Sequence, residues 1–155
     1  MEESVNQFKV IAFHLGDEEY AIPVTNVGSI ERIQHITRVP NTPPFVKGVI
    51  NLRGVVTPVI DLRERFNMEK TPYTESSRII IVRIDELEVG MIVDGAHDVV
   101  DVMNEDIEPP PEVVGSIEVN YIKGVIKLQK RLLVLLDLNQ VLLQEEFNRM
   151  KEIGS

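Results

Sequence analysis

Few residues in this chain are suited to proton transfer or metal ligation. They are three histidines, His14, His35 and His97, and the aspartate of an Asp94-Gly95 pair. The histidines lie far apart along the chain, and none has a carboxylate or second histidine at metal-site spacing. Each reads first as a surface or satisfied core histidine. Asp94 admits two readings. With His97 it could serve as an acid/base in a small-barrel enzyme, but a turn after the apolar run Leu87 to Val93 explains it as simply. The carboxylates Asp17, Glu18, Glu19 and Asp85, Glu86, Glu88 recur at matching hairpin turns, which suits solvated turns better than a catalytic pair. No HExxH, phosphate-binding loop, GxGxxG or nucleophile-elbow pattern occurs. With no cysteine there is no disulfide, thiolate metal site or cysteine nucleophile. The expectation is no catalytic residue, no metal, no cofactor, and a protein-binding role.

Charge narrows the partners further. The 155 residues include 25 acidic and 16 basic ones, a formal net charge of -9, and only 5% are aromatic. An anionic surface poor in stacking groups disfavours nucleic acid, including the single strands that small barrels often bind, and anionic lipid. The N-terminus lacks the basic-then-apolar order of a signal peptide, and no apolar run approaches bilayer length, so a cytoplasmic location is expected.

Strands dominate the pattern. The runs 8–15, 19–24, 46–52, 55–61, 78–84, 87–93, 121–128 and 132–136 are rich in β-formers, and turn residues separate them. Pro58 predicts an edge position or a bulge. An amphipathic helix over 137–153 is expected behind an Asp137 cap, and Asp61 with Glu64 starts a miniature one. In PVTNVGSIERI, Val24, Val27 and Ile30 fall at helical intervals. They read as core-facing, or as lining a partner groove. Val113, Val114 and Ile117, in a Pro-rich loop, are either tucked inside or form a sticky patch. The stretch 67–77 is polar and could connect two halves.

The halves are related. FVKGVINLRGVVTPVIDL (45–62) aligns without gaps on YIKGVIKLQKRLLVLLDL (121–138), and YAIPVTNV (20–27) resembles VGMIVDGA (89–96). Two copies of one β-rich unit, about 8–76 and 77–142, should therefore pack around a shared core as a single domain, with strands free to cross between them. Lys47-Gly48 and Asp61 recur as Lys123-Gly124 and Asp137, and need no explanation beyond the fold. Arg53-Gly54 is replaced by Gln129-Lys130. Arg53 is then one acceptable turn residue among several, or a guanidinium placed at a hairpin tip to recognise a partner.

LGDEEYAIPVTNV, TRVPNTPPFVKGVINLRGVVTPVIDLRERF and VGMIVDGAHDVVDV resemble the CheW family of bacterial chemotaxis coupling proteins, from about Phe8 to the C-terminal helix. That resemblance implies an all-β fold of two packed five-stranded SH3-like barrels. It also implies a non-enzymatic scaffold joining the cytoplasmic tips of methyl-accepting chemoreceptors to the histidine kinase CheA, with other CheW copies in rings. It assigns receptor contact to Arg53 and Gly54, and a groove between the barrels to Val27, Ile30, Asp94 and Gly95, with Ser29 and Glu31 beside them. Glu108 and Val113 would belong to the kinase joint, although Glu108 stands where some relatives carry a basic residue, which puts an ion pair there in doubt. CheW-like units also occur within CheA and CheV. With no phosphotransfer or ATP-binding segment in the sequence, a stand-alone adaptor is the expected reading, and a module cut from CheV or from the CheA regulatory region is the alternative.

Overall fold

The computed structural model describes residues 7–110 and 119–142. The protein is all-β, with eleven strands: β1 (Gln7–Leu15), β2 (Glu18–Pro23), β3 (Val27–Arg32), β4 (Val46–Leu52), β5 (Val55–Asp61), β6 (Arg78–Ile84), β7 (Leu87–Val93), β8 (Gly95–Met103), β9 (Ile107–Glu108), β10 (Ile122–Lys127) and β11 (Leu132–Leu136). Two short helices, α1 (Leu62–Arg65) and α2 (Leu138–Val141), follow β5 and β11. Both are capped at the expected aspartates: Asp61 accepts from the Glu64 amide, and Asp137 from the Asn139 amide. The expected helix beyond Leu142 lies outside the described residues.

The strands form a six-stranded sheet in the order β8-β1-β2-β11-β10-β9 and a five-stranded sheet in the order β3-β6-β7-β5-β4. Neither sheet is built from one half of the sequence. The β1–β2 hairpin pairs with β8 and β11 of the second copy, while β6–β7 pairs with β3 and β5 of the first. The copies have exchanged their leading hairpins. Registers confirm the duplication: the parallel pairs Val59↔Gly90 and Leu135↔Ala21 are equivalent, and so are the shifts at Val46/Gly48 and Ile122/Gly124.

Alternation assigns each strand to two cores. Ile11, Phe13 and Leu15 of β1 meet Ile80, Val82 and Ile84 of β6 in the cluster shared by both sheets. The opposite faces enclose smaller clusters, Val10, Ala12, Leu133 and Leu135 in one sheet and Ile50, Val59, Ile79 and Ile81 in the other. Each sheet carries its own cluster on that face. Thr37, beyond β3, bridges to Val49 on β4, and β8 runs through a single 3-10 turn into β9 at the other end of its sheet. Arg65 of α1 crosses the seam, with its guanidinium 4.7 Å from the Phe45 ring and 5.0 Å from that of Tyr121, two equivalent residues of the repeat. Its Nε donates to the Val141 carbonyl of α2.

Sequence periodicity misplaced three features. Residues 27–32 are strand, not a helical turn, and β8 was hidden behind Asp94-Gly95. Pro58 lies in an interior strand rather than at an edge. It is tolerated because pairing of β5 with β7 begins one residue later, at Val59, so β7 asks for no amide from Pro58.

Candidate protein-interaction site

The structure gathers the singled-out residues into two groups. The first surrounds the β4–β5 turn. Leu52 pairs with Val55, leaving Arg53 and Gly54 as a two-residue loop with φ of 52° and 88°. Positive φ at both positions is what a type I′ turn requires, and it matches the twist of the flanking strands. Glycine meets it freely, whereas arginine at φ 52° costs about 1 kcal/mol. The Gly54 amide donates to Asn51 Oδ1 at 2.7 Å, which locks the tip. Among the described residues Arg53 is held at one corner only: its Nη2 donates to Glu31 Oε2 at 3.1 Å, while 70% of the side chain stays exposed. Ser29 Oγ donates to the same carboxylate oxygen at 2.8 Å.

Val27 and Ile30 sit on β3, and their spacing of three would put them on opposite faces of a regular strand. A register shift between Val27 and Ser29 leaves Gly28 as an extra residue, so Val27 faces Val82 and Ile30 faces Ile80. Both therefore lie on the shared-core side. Val27 packs partly into that core, and Ile30, 41% exposed, forms its rim. Sequence reasoning grouped them correctly for the wrong reason.

The second group lies where the chain passes from β7 in one sheet to β8 in the other. Asp94 Oδ1 and Oδ2 accept from Arg63 Nε at 2.9 and 3.1 Å, and Oδ2 also accepts from Nη2 at 2.6 Å. The Gly16 amide, in the β1–β2 turn, donates to Oδ2 at 2.7 Å. One carboxylate thus ties α1 of the five-stranded sheet to a turn of the six-stranded sheet. Burial alone would raise the Asp94 carboxyl. The Arg63 hydrogen bonds, the Gly16 amide and the charges of Arg63 and His14 outweigh it and hold the group below its ordinary range. The Asp94 hydrogen bonds raise the Arg63 guanidinium despite partial burial. A carboxylate locked as an anion is poorly placed to donate a proton, which weakens the acid/base reading of Asp94. Gly95 is fixed sterically, because a Cβ there would lie 2.5 Å from the His14 ring.

Sequence reasoning missed Arg63, whose partner is 31 residues away, and it kept His14 and His97 apart. They meet: His14 Nδ1 lies 2.6 Å from His97 Nε2. Adjacency of β1 and β8 brings this about, and only topology could have shown it. Glu108 on β9 pairs with Lys127 at 3.4 Å within the chain. Val113 lies outside the described residues. Among those residues no group of three or more metal-ligating side chains gathers, and no helix is long and apolar enough to cross a membrane.

Residues 9–146 match the family model of the CheW-like domain. The chain belongs to the CheW-like family. It is 49% identical to the chemotaxis protein CheW of Bacillus subtilis over 137 residues, covering 88% of each chain. It is 40% identical to the chemotaxis protein CheW of Klebsiella aerogenes over 144 residues, 93% of this chain and 86% of that one. The crystal structure of the scaffolding protein TtCheW from Thermoanaerobacter tengcongensis superposes with a TM-score of 0.83 at 35% identity, over 90% of this chain and 94% of that one.

Proposed function

We propose that this CheW-like protein is a non-enzymatic coupling scaffold that joins the cytoplasmic tips of methyl-accepting chemoreceptors to the histidine kinase CheA. Family membership across nearly the whole chain supports the scaffold reading. The observation that carries the receptor site is the exposed Arg53 guanidinium on a locked, conformationally costly turn. Glu31 occupies one corner of its donor fork, and the remaining donors and the planar face are free to meet a partner's carboxylate or carbonyl groups. Ile30, with Val27 on the same side of β3, supplies apolar contact, and a groove between the sheets would extend to the separate group of Asp94 and Gly95 at the β7–β8 passage. The tip of a helical hairpin suits such a groove. Glu108 and Val113 belong to a separate kinase-facing joint, and two surfaces occupied at once let weak contacts add through multivalency.

The test is a three-way reconstitution of a receptor fragment, the kinase and this protein. Kinase autophosphorylation should become receptor-dependent only when the protein is added. Arg53→Glu should abolish receptor pulldown, with the fold and kinase binding retained. Unchanged receptor affinity in a folded Arg53→Glu protein would remove Arg53 from the site.

A further inference from the structure

The duplication gives a test for features that the fold does not require. At the β8 bulge His97 is the extra residue, since Ala96 pairs with Phe13 and Asp98 with Ala12. The equivalent bulge on β3 carries Gly28, and the equivalent of His14 on β6 is Arg83. The histidine pair is therefore unique to one copy and sits on an element known to re-aim side chains. The ring centroids are 4.5 Å apart and the ring planes lie 15° from parallel. The rings are near-parallel, and the nearest nitrogens, 2.6 Å apart, are within reach of an N–H···N hydrogen bond.

We propose that His14 and His97 form a one-proton latch, closed while at least one ring is neutral and opened when both are charged, that makes the Asp94 seam clasp sensitive to pH. A neutral imidazole has one donor and one acceptor, so two neutral rings, or one neutral and one charged, can share the bond. Two imidazolium rings have only donors and repel. The groups around the pair are mixed. Asp94 and Arg63 lie on the seam side. Glu19 of β2 and Asp98 of β8 both bind Arg131, and Asp17 and Glu18 occupy the adjoining turn. Once the latch opens, the exposed His97 moves into solvent. The His14 ring, no longer pinned over Gly95, competes as a cation with Arg63 and the Gly16 amide for the Asp94 carboxylate. A metal-chelate reading fails on geometry, because the nitrogens are too close to admit an ion between them.

The experiment uses the full chain, with imidazole nitrogen NMR and amide exchange at Gly16 between about pH 8 and about pH 5. At about pH 8 the His14 and His97 nitrogens should show coupling across their shared hydrogen bond, and that coupling should be gone at about pH 5. Gly16 exchange, corrected for intrinsic rate, should rise by about fivefold, the weight of one lost hydrogen bond. His14→Gln and His14→Asn, which remove both the latch and the competing cation, should flatten that rise. Absence of any coupling between the two rings at about pH 8 would overturn the proposal. So would equal Gly16 slopes in the wild type and a folded variant. If neither variant folds, the wild-type imidazole spectra decide alone.

Discussion

The seam clasp offers the most quantitative test of how the two sheets are held together. Asp94→Ala removes a carboxylate that accepts two Arg63 nitrogens and one backbone amide, at a site where Arg63 is 15% and Asp94 26% exposed. Exposed ion pairs contribute about 0.2 to 1 kcal/mol, and breaking a fully buried pair costs about 3 to 5 kcal/mol. The clasp lies between these limits. Arg63 keeps one bond, from Nη1 to the Glu69 carbonyl at 2.9 Å, which softens the loss. A destabilisation of about 2 to 3 kcal/mol follows, or a fall in Tm of roughly 5 to 10 °C for a chain of this size. Urea titration at neutral pH should show a lower midpoint with an unchanged slope. The pH dependence has a fixed sign. The folded carboxyl is held below its ordinary value, so the unfolded chain takes up the proton first. The Asp94 carboxyl's own contribution is present above about pH 4 and is lost as pH falls through the folded value, whereas opening of the histidine latch weakens the clasp separately, at higher pH. The gap between wild type and Asp94→Ala should therefore narrow in acid. A double-mutant cycle with Arg63→Met isolates the pair, since both single variants should cost nearly as much as the double. A gap under about 0.5 kcal/mol at neutral pH, or one that stays constant down to about pH 3, would refute the clasp.

Two further comparisons separate construction from function. Gly48→Ala should cost more than about 3 kcal/mol or prevent folding, because its φ is +142° and a Cβ would lie 2.0 Å from the Thr37 carbonyl oxygen. Gly54→Ala should cost only about 1 kcal/mol, since φ is +88° but nothing lies within 4 Å. Thermal denaturation of the two variants side by side checks the contrast. Asp137→Ala should lower stability by about 1 kcal/mol, the worth of a cap. Asp61→Ala should cost about twice that, because the buried Asp61 also accepts from the Tyr73 hydroxyl at 2.7 Å. Equal losses in denaturant titrations would show that the Tyr73 bond contributes nothing. The Asp61 bond and burial, burial being the larger cause, both raise the Tyr73 phenol, so its ultraviolet titration should move toward an ordinary tyrosine in Asp61→Ala.

Much of this was legible in sequence because the signals were local. Alternation and turn residues placed eight strands to within a residue or so, and Asp61 and Asp137 marked their helices. Gapless self-alignment revealed the repeat, and the registers at Gly48 and Gly124 show why both glycines recur: each lets a neighbouring backbone or side chain approach where a Cβ would collide. Long-range pairing was not legible. Exchange of the leading hairpins depends on which edge each hairpin meets, and either arrangement buries the same alternating faces. The bulges at Gly28 and His97 break the period of two on which strand reading rests, so β3 looked helical and β8 went unread. Arg63 and the histidine pair followed into obscurity, because their partners come from the exchanged hairpin or from beyond a bulge.

The repeat also orders the candidate residues by what the fold asks of them. Gly48 and Gly124, and Asp61 and Asp137, occupy equivalent positions and serve the same purposes, close approach and helix capping. Arg53, Asp94, Arg63, His14 and His97 face Gln129, Thr25, Asn139, Arg83 and Gly28 in the other copy. A pseudo-symmetric pair of sheets would fold with either set, so each asymmetric residue was free to serve something else. Four of the five gather where β7 hands over to β8, and there the two sheets meet through one carboxylate rather than through a strand. That junction is the place where a small shift in contacts could turn one sheet against the other without breaking a ladder hydrogen bond. A coupling protein needs such a joint if receptor state is to reach the kinase through it, since coupling requires two arrangements that both partners bias. The exchanged hairpins limit that freedom: both strands of β1–β2 are held by the opposite copy, so the halves cannot separate without breaking ladder hydrogen bonds.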